Sequence, residues 1–267
     1  MLQAVNLKHK LVFDPVNRPQ PLNHCERNGM ILPFSSNPLH DALMDLKDFT
    51  DKKLMRIKEK KTNVMKFNFS HKYDFPPEIL IEGFKNHLDV VQQTKLLGVI
   101  LSDDLKWAAN TDYICRKAYE RIWILRRMKV LSVSPHIILD VYTKEVRSVV
   151  ELAVPAWHSG ITVKQSDQIE RIQKVAVSII FGRNKMSYLT SLKLLGLDTL
   201  KKRRESLCLN FVKKSLKSRH RDMFVDNCSN YDTRNKKSFV EPKSNSKRVF
   251  MSPLVYLTRL GNSCKVV

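Results

Sequence analysis

Glycine is scarce in this chain, and the glycines that it has lie far apart. Seven occur among 267 residues, and no two are near neighbours. Loops that cradle phosphate need closely spaced glycines, because several backbone N–H groups must converge on one anion. The sequence therefore excludes a Walker A loop and a dinucleotide-binding fingerprint. A nucleophile elbow of the G-x-S-x-G type is also absent.

Paired cysteines and long apolar runs are missing as well. The five cysteines are widely spaced and form no C-x-x-C pair, which argues against a zinc ribbon or a disulfide framework. Unpaired cysteines are typical of a reducing, intracellular compartment. The first residues are interrupted by charge and proline, unlike a secretory signal, and no run of about 18 apolar residues occurs. We expect an intracellular protein, in the nucleus or cytoplasm, with no membrane partner.

Positive charge is present in large excess. Lys and Arg total 47 against 26 Asp and Glu, a formal net charge of +21 with a pI near 9.9. Nucleic acid is the commonest partner of such a protein, because each phosphate that is neutralised releases counterions. The alternative is a basic protein with no acidic partner. The balance favours RNA or DNA as the partner, and no small-molecule substrate is evident.

The period of the apolar residues divides the chain into three parts. Residues 1–110 hold an irregular proline-rich start, a predicted helix over 38–57, and short strand-like runs that include NVMKFNF, EILIEGF and TKLLGVIL. Residues 111–225 change to a helical period, and residues 226–267 are polar, with only SPLVYLTRL as a predicted anchor. The predicted fold class is α+β: short antiparallel strands plus a helix, then an all-α helical bundle and a mostly extended or loosely packed polar tail.

Local signals predict the helix boundaries in the bundle. Ile114, Ala118, Ile122 and Leu125 form the apolar stripe of its first helix. A second helix is predicted from Ser134-Pro135, and a third from Thr162, where TVKQ is a capping box. A short helix is predicted to end at Gly196, and the last to run from near 198 to about 218.

Two patterns are candidates for catalysis. Asp103 and Asp104 follow an apolar strand, and adjacent aspartates hold paired Mg²⁺ in polymerases. A third carboxylate is needed, however, and the only upstream strand-like candidate, Asp14, is followed by proline. The pair is therefore interpreted as a turn. Cys25 beside His24 lacks any oriented base, so it is not interpreted as a nucleophile.

Two basic segments are stronger candidates for contact with nucleic acid. RKAYERIWILRRMK carries six Lys or Arg against one Glu, and nine Lys or Arg fall between residues 201 and 221. Phosphate contact is favoured over a merely solvated face. Tyr119, Trp123 and Phe211 either stack bases or fill a core. Because they share helices with apolar stripes, we predict that they belong to the core.

Five segments, in order, resemble LINE-type (non-long-terminal-repeat) retrotransposon reverse transcriptases. LLGVILSDDLKWAANTDYICRKAYERIWILRRMK is similar to the segment after the catalytic box, with its LGV strand, L-x-W, KA pair and LRR end. Three further segments are similar to the family's thumb: LDVYTKEVRSVVELAVPAWHSGIT, QSDQIERIQKVAVSIIFG and SYLTSLKLLGLDTLKKRRESLCLNFVKK. LHDALMDLKDFTDKKLMRIKEKKTNVMKFNFS is similar to the helix and strand of the palm. The resemblance covers roughly residues 1–260.

The resemblance implies that residues 1–110 are a partial palm with a primer-grip-like strand, and that residues 111–225 are a thumb. Lys61 would lie near the incoming nucleotide, and Leu97-Gly98 would form the hairpin that supports the primer end. The implied partners are RNA or DNA, with the rest of a reverse transcriptase as a further candidate. The predicted nucleic-acid-binding residues are Lys61, Gly98, Arg116, Lys117, Arg121, Arg126, Arg127, Lys201, Lys202, Arg203 and Arg204.

The chain departs from this family at the catalytic centre. The family's aromatic-x-Asp-Asp box precedes the segment similar to AVNLKHKL, which here starts almost at Met1. We therefore predict no catalytic residue, no metal ligand and no cofactor in this fragment, with Mg²⁺ expected only for an intact enzyme. The expected function is that of a polymerase fragment, inactive alone, that binds nucleic-acid backbone. The alternative is a helical protein-interaction module. We also expect the α/β part to be poorly ordered in isolation, because its sheet edges would be unpaired.

Overall fold

The computed structural model describes residues 2–7, 10–13, 48–55, 62–67, 78–79, 88–182, 186–227, 237–243 and 247–263. The chain divides into two compact units, Met1–Leu105 and Lys106–Val267. The first contains the strands and the second is helical, so the α+β class is confirmed in this coarse form. The division falls a few residues before the predicted one, because the first long helix already begins at Ala108.

Short antiparallel strands make up most of the described part of the first unit. β1 (Leu2–Leu7), β2 (Lys10–Phe13) and β3 (Asn63–Phe67) form a sheet in the order β2-β1-β3. β4 (Glu78–Ile79) pairs with β5 (Leu88–Asp89), and β6 (Gln93–Leu96) with β7 (Val99–Ser102). Residues 48–52 are helical, within the helix predicted over 38–57, and residues 53–55 are not helical. Residues 38–47, 56 and 57 lie outside the described part of the chain. These bounds confirm strands within the three predicted runs.

The run TKLLGVIL is two strands rather than one. β6 and β7 are joined by a two-residue turn at Leu97 and Gly98, whose φ angles are 46° and 90°. Positive φ at both central positions matches the right-handed twist of a hairpin. A hairpin at Leu97-Gly98, which the resemblance implies, is therefore present, whereas TKLLGVIL is not a single strand. On the same unit, Met65 and Phe67 are buried, with Leu101 and Leu105 packed against them.

The second unit is a bundle of helices. They are α1 (Ala108–Val130), α2 (Pro135–Val141), a π-helical turn (Tyr142–Val146), α3 (Arg147–Val150), α4 (Val154–Trp157), a 3₁₀ turn (His158–Gly160), α5 (Val163–Phe181), α6 (Tyr188–Leu194), α7 (Leu200–Leu216), a second 3₁₀ turn (Arg221–Met223), α8 (Lys247–Phe250) and α9 (Pro253–Ser263). The helices predicted in this part of the chain are all present.

The centre of the bundle is the contact between α1 and α5. The predicted stripe of α1 is buried, and so are Ile169, Ile172, Ala176 and Ile180 of α5, so that the two helices pack along their length. Burial of one such aliphatic side chain stabilises by about 1.5–3 kcal/mol. Lys129 ties the ends of the two helices together, because its Nζ donates to the carbonyl oxygen of Ile180 at 2.8 Å.

The predicted capping box starts α5. The backbone N–H of Thr162 donates to Gln165 Oε1 at 2.7 Å, and Thr162 Oγ1 accepts from the Gln165 N–H at 3.2 Å. Gly196 follows the C-terminus of α6 with φ of 64°, which confirms its predicted role. At the start of α1, Trp107 has φ of 60° and its indole is buried against Gly160.

The C-terminal part is packed rather than loose where the structure describes it. SPLVYLTRL forms most of α9, which packs on α7 and buries Val255, Leu257 and Thr258. Phe239 packs against Phe224, with ring centroids 5.6 Å apart. The anchor was predicted, but the mostly extended or loosely packed tail predicted over residues 226–267 is wrong for Phe239 and for α9, whose apolar side chains belong to the core of this unit.

Candidate nucleic-acid interface

The strongest candidate surface is the side of α1 that faces away from the bundle. Because the apolar stripe of α1 turns inward, residues about half a helical turn away face solvent. Arg116, Tyr119, Trp123, Arg126 and Arg127 are exposed there. They recur at spacings of three and four residues, which places them on one side of the helix. We call these five residues the α1 outer face.

Two aromatic rings lie on the α1 outer face. Tyr119 is 41% exposed and Trp123 is 62% exposed, whereas Trp107 and Trp157 are 6% and 0% exposed. The prediction that Tyr119 and Trp123 fill the core is wrong, and Phe211 on α7 is also partly exposed. The helix explains this, since at 100° per residue Trp123 lies about 145° and Tyr119 about 105° from the middle of the buried stripe. The position of the two residues on the helix therefore predicted their exposure, whereas their aromatic character did not.

The arginines of this face keep their charge available. Arg116 lies 5.8 Å from the ring centroid of Tyr113. Neither Arg126 nor Arg127 forms an ion pair with any residue that the structure describes. Two positive groups on neighbouring residues repel each other mildly in water, so an anion that contacts both is favoured.

The other basic residues predicted on α1 lie on its flank. Lys117 Nζ is 2.7 Å from Glu120 Oε2, and this bond lowers the pKa of Glu120. Arg121 donates to the backbone carbonyl of Glu145 at 2.6 Å and lies 3.4 Å from its carboxylate. Exposed pairs of this kind are worth at most about 1 kcal/mol. Both side chains border the outer face but are partly occupied by protein partners.

On α7 the four consecutive basic residues have four different environments. Lys201 is exposed, and Lys202 pairs with Asp198 at 2.7 Å. Arg203 Nε donates to Glu151 Oε1 at 2.9 Å, and this carboxylate raises the pKa of Arg203. The run therefore does not form one continuous basic face.

Arg204 lies in the interior of the bundle and is 1% exposed. Its Nη2 donates to Ser166 Oγ at 2.6 Å, its Nε lies 3.4 Å from His158 Nδ1, and its Nη1 has no hydrogen-bond partner among the described residues. Burial lowers the pKa of this guanidinium. A group enclosed in this way cannot reach a phosphate, so the structure removes Arg204 from the predicted binding residues.

The N-terminus of α7 already has an anion. Glu170 of α5 accepts the backbone N–H groups of Leu200 and Lys201 at 3.2 and 3.3 Å. Those are orphan donors that a phosphate would otherwise take. A buried network continues from this point: Gln173 donates to the Asp198 carbonyl at 2.9 Å and accepts from Tyr142 at 2.7 Å. The hydrogen bonds at this end of α7 therefore connect α7 to α5, and α5 to the π-helical turn.

The remaining candidates belong to the first unit. Gly98 lies in the β6–β7 turn, while Lys61, Asp14, His24 and Cys25 lie outside the described residues. Asp103 and Asp104 form a turn, as interpreted from the sequence. The N–H of Asp103 donates to the Gln92 carbonyl at 2.9 Å, and Ser102 Oγ donates to Asp104 Oδ1 at 2.7 Å. Within the described ranges, no three His, Cys, Asp or Glu side chains converge as metal ligands.

No helix that the structure describes is long and apolar enough to cross a membrane. In comparisons with known proteins, no family model matches the chain, and neither a curated protein nor a solved structure is significantly similar to it.

Proposed function

We propose that the chain is a fragment of a LINE-type reverse transcriptase that binds RNA or DNA through the α1 outer face and does not polymerise by itself. In this proposal the first unit is a partial palm with a primer-grip hairpin, and the second is the thumb. The observation that carries it is the pair Arg126 and Arg127, exposed and without an ion pair in the described structure. The order of the sequence motifs supports the assignment to the family.

The physical basis of binding is neutralisation of phosphate. Arginine forks donate two parallel hydrogen bonds to a phosphate and remain charged at any accessible pH. The formal net charge of +21 attracts a polyanion over distance, and the α1 outer face gives that attraction a place of contact. Such contacts hold the backbone without reading the base sequence.

A salt series on the full chain tests the proposal. We expect filter binding to detect a complex at low salt whose logarithmic affinity falls linearly with the logarithm of salt concentration. The double variant Arg126→Ala, Arg127→Ala should reduce the slope on duplex DNA by about 2, because each phosphate that is no longer neutralised lowers the slope by about 0.9. Both positions are exposed and helical, so alanine preserves the fold.

The matched control is Lys213→Ala, Lys214→Ala, which removes the same charge from exposed positions on α7. This control should change the slope by less than half as much. Equal reductions in both variants would contradict a specific role of the α1 outer face. No binding at low salt would favour the alternative, a helical protein-interaction module.

Kinship with reverse transcriptases has a separate test. Sequencing the locus upstream of Met1 should reveal reverse-transcriptase motifs, and an in-frame aromatic-x-Asp-Asp box would make the chain part of an active polymerase. An upstream sequence with no polymerase motif would contradict the kinship while leaving the binding result intact.

A further inference from the structure

The two rings on the α1 outer face are exposed to solvent. Tyr119 and Trp123 are one helical turn apart, about 6 Å along the axis. No ring contact or hydrogen bond involves either side chain in the part of the chain that the structure describes. Tryptophan exposed to this extent leaves apolar surface in water, at a cost of roughly 25 cal/mol per Å². A partner that covers the rings would recover that free energy.

Positive charge flanks the rings along the helix. Arg116 lies one turn before Tyr119, and Arg127 lies one turn after Trp123, with Arg126 beside it. A polyanion that runs along α1 meets arginine, two rings, and arginine again. The carboxylate of Glu120, which lies beside them, is paired with Lys117 at 2.7 Å. Positively charged tracks with interspersed aromatic side chains bind single-stranded nucleic acid, because every base has a π-face to stack.

We infer that the α1 outer face binds a single strand of RNA or DNA, with unpaired bases stacked on Tyr119 and Trp123 and phosphates held by the three arginines. This inference rests on the proposed function and narrows it from nucleic acid in general to strands with free bases. Bases within a duplex are already stacked on their neighbours, so duplex contact would use the arginines and leave the rings uncovered.

The composition of the α1 outer face argues against a membrane surface and against a protein as its partner. A membrane-surface helix needs a broad apolar side, but the aliphatic residues Ile114, Ile122 and Leu125 of α1 are buried in the bundle. A standard protein interface buries about 800 Å² on each partner. The exposed apolar side chains on this side of α1 are Tyr119, Trp123 and, at the end of the helix, Val130, which is a small area beside that figure. A single strand needs only base-sized platforms and charge.

The chain carries its own reporter for this test. Of its three tryptophans, Trp107 and Trp157 are buried and Trp123 is exposed. Stacking of a base on Trp123 should therefore quench the accessible part of the emission. We would titrate the full chain with oligothymidylate and with an abasic strand of the same length, which carries the phosphates but no bases.

We expect oligothymidylate to quench the emission and the abasic strand to bind without quenching. Trp123→Ala should weaken binding of oligothymidylate by about 5- to 150-fold, the range measured when one stacking side chain is removed. Its affinity for the abasic strand and its salt slope should not change. Trp123→Phe should restore most of the affinity. The control is Phe211→Ala, an exposed ring on a different helix, which should leave binding unchanged.

The outcomes separate the two proposals. Salt-dependent binding that is equal for both strands, or unaffected by Trp123→Ala, would overturn stacking and leave the proposed function standing. Binding of neither strand would overturn the inference, and it would overturn the proposed function as well if duplex DNA also failed to bind at low salt. Quenching by vesicles of anionic lipid but not by oligothymidylate would also overturn the inference, in favour of a membrane surface.

Discussion

Arg204 is a positive charge inside a helical bundle, held by a hydroxyl and an imidazole rather than by a carboxylate. Its Nη2 donates to Ser166, and the nearest ring nitrogen is that of His158. Buried charges without full compensation cost free energy, and replacement by an apolar side chain of similar size is often neutral or stabilising. The run KKRR predicted the opposite environment, because a high density of charge usually accompanies exposure.

We expect Arg204→Met to keep the free energy of unfolding within about 1 kcal/mol of wild type, or to raise it. Arg204→Ala should lower it by about 2–4 kcal/mol, because it leaves a cavity and unpaired polar groups. Denaturant unfolding measures both. Neither variant should change the salt slope of nucleic-acid binding, and a reduced slope for Arg204→Met would contradict the burial of this residue.

His158 makes the stability of the bundle depend on pH. Burial, then the positive charges of Arg204 and Lys201, lower the pKa of His158 from 6.5 to about 4. Between these values the unfolded chain binds a proton that the folded chain does not, so stability falls as pH drops. The stability that neutral His158 contributes is complete above pH 6.5 and is lost toward about pH 4. It amounts to something on the order of 3 kcal/mol.

His158→Asn should flatten that part of the pH profile, since its amide oxygen can replace Nδ1 as acceptor but does not titrate. The free energy of unfolding of wild type and of His158→Asn, measured at about pH 7 and about pH 4.5, isolates the contribution of His158. An unchanged pH dependence in the variant would show that other groups produce it.

At the scale of elements, the start of α1 is fixed by one close contact. A Cβ added at Gly160 would lie 2.4 Å from Nε1 of the buried Trp107 indole. A ring cannot bend aside, so Gly160→Ala should shift Trp107 and lower the free energy of unfolding by about 1–3 kcal/mol. The matched control is Gly196→Ala, where nothing lies within 4 Å and only the φ of 64° is strained.

Gly196→Ala should cost about 1 kcal/mol. Thermal or denaturant unfolding ranks the two variants, and a smaller decrease at Gly160 than at Gly196 would contradict the packing at the start of α1. Near-ultraviolet circular dichroism should change for Gly160→Ala alone, because it reports the environment of Trp107.

Helical phase and caps were readable from the sequence, whereas the fate of each polar or aromatic side chain was not. Ile114 and Ile122 predicted the inner side of α1, and Thr162 with Gln165 predicted the start of α5. The prediction for Trp123 followed its residue type instead of its phase. Arg204 is buried through contacts with residues far away in sequence, which local patterns do not contain. Nor does polarity of a segment show that a short apolar run within it, such as α9, docks on a distant helix.

At the scale of the molecule, Lys106–Val267 contains its own core and should fold without the first unit. We expect the fragment of residues 106–267 to unfold in one cooperative transition. Removing α9 by ending the fragment at residue 250 should lower its stability by at least about 3 kcal/mol, since the apolar contacts of the buried Val255 and Leu257 would be lost.

Circular dichroism over a denaturant series tests both fragments. A non-cooperative transition for residues 106–267 would show that the first unit is required. Equal stability with and without α9 would contradict its place in the core. Limited proteolysis of the full chain should likewise leave a fragment that begins near Lys106.

The π-helical turn at Tyr142–Val146 sets the phase of the helical segment in which it lies. Ile138, Tyr142, Val146 and Val150 are all buried, at a strict spacing of four residues. On an uninterrupted α-helix that spacing would rotate by about 40° at each step, or about 120° in total. The wider turn absorbs one residue and cancels most of that rotation. An uninterrupted α-helix of the same length would turn Val150 away from the core and Glu151 away from Arg203. Deleting the absorbed residue would instead give a regular α-helix that keeps Val150 on the buried side, because eleven residues rotate by only about 20°.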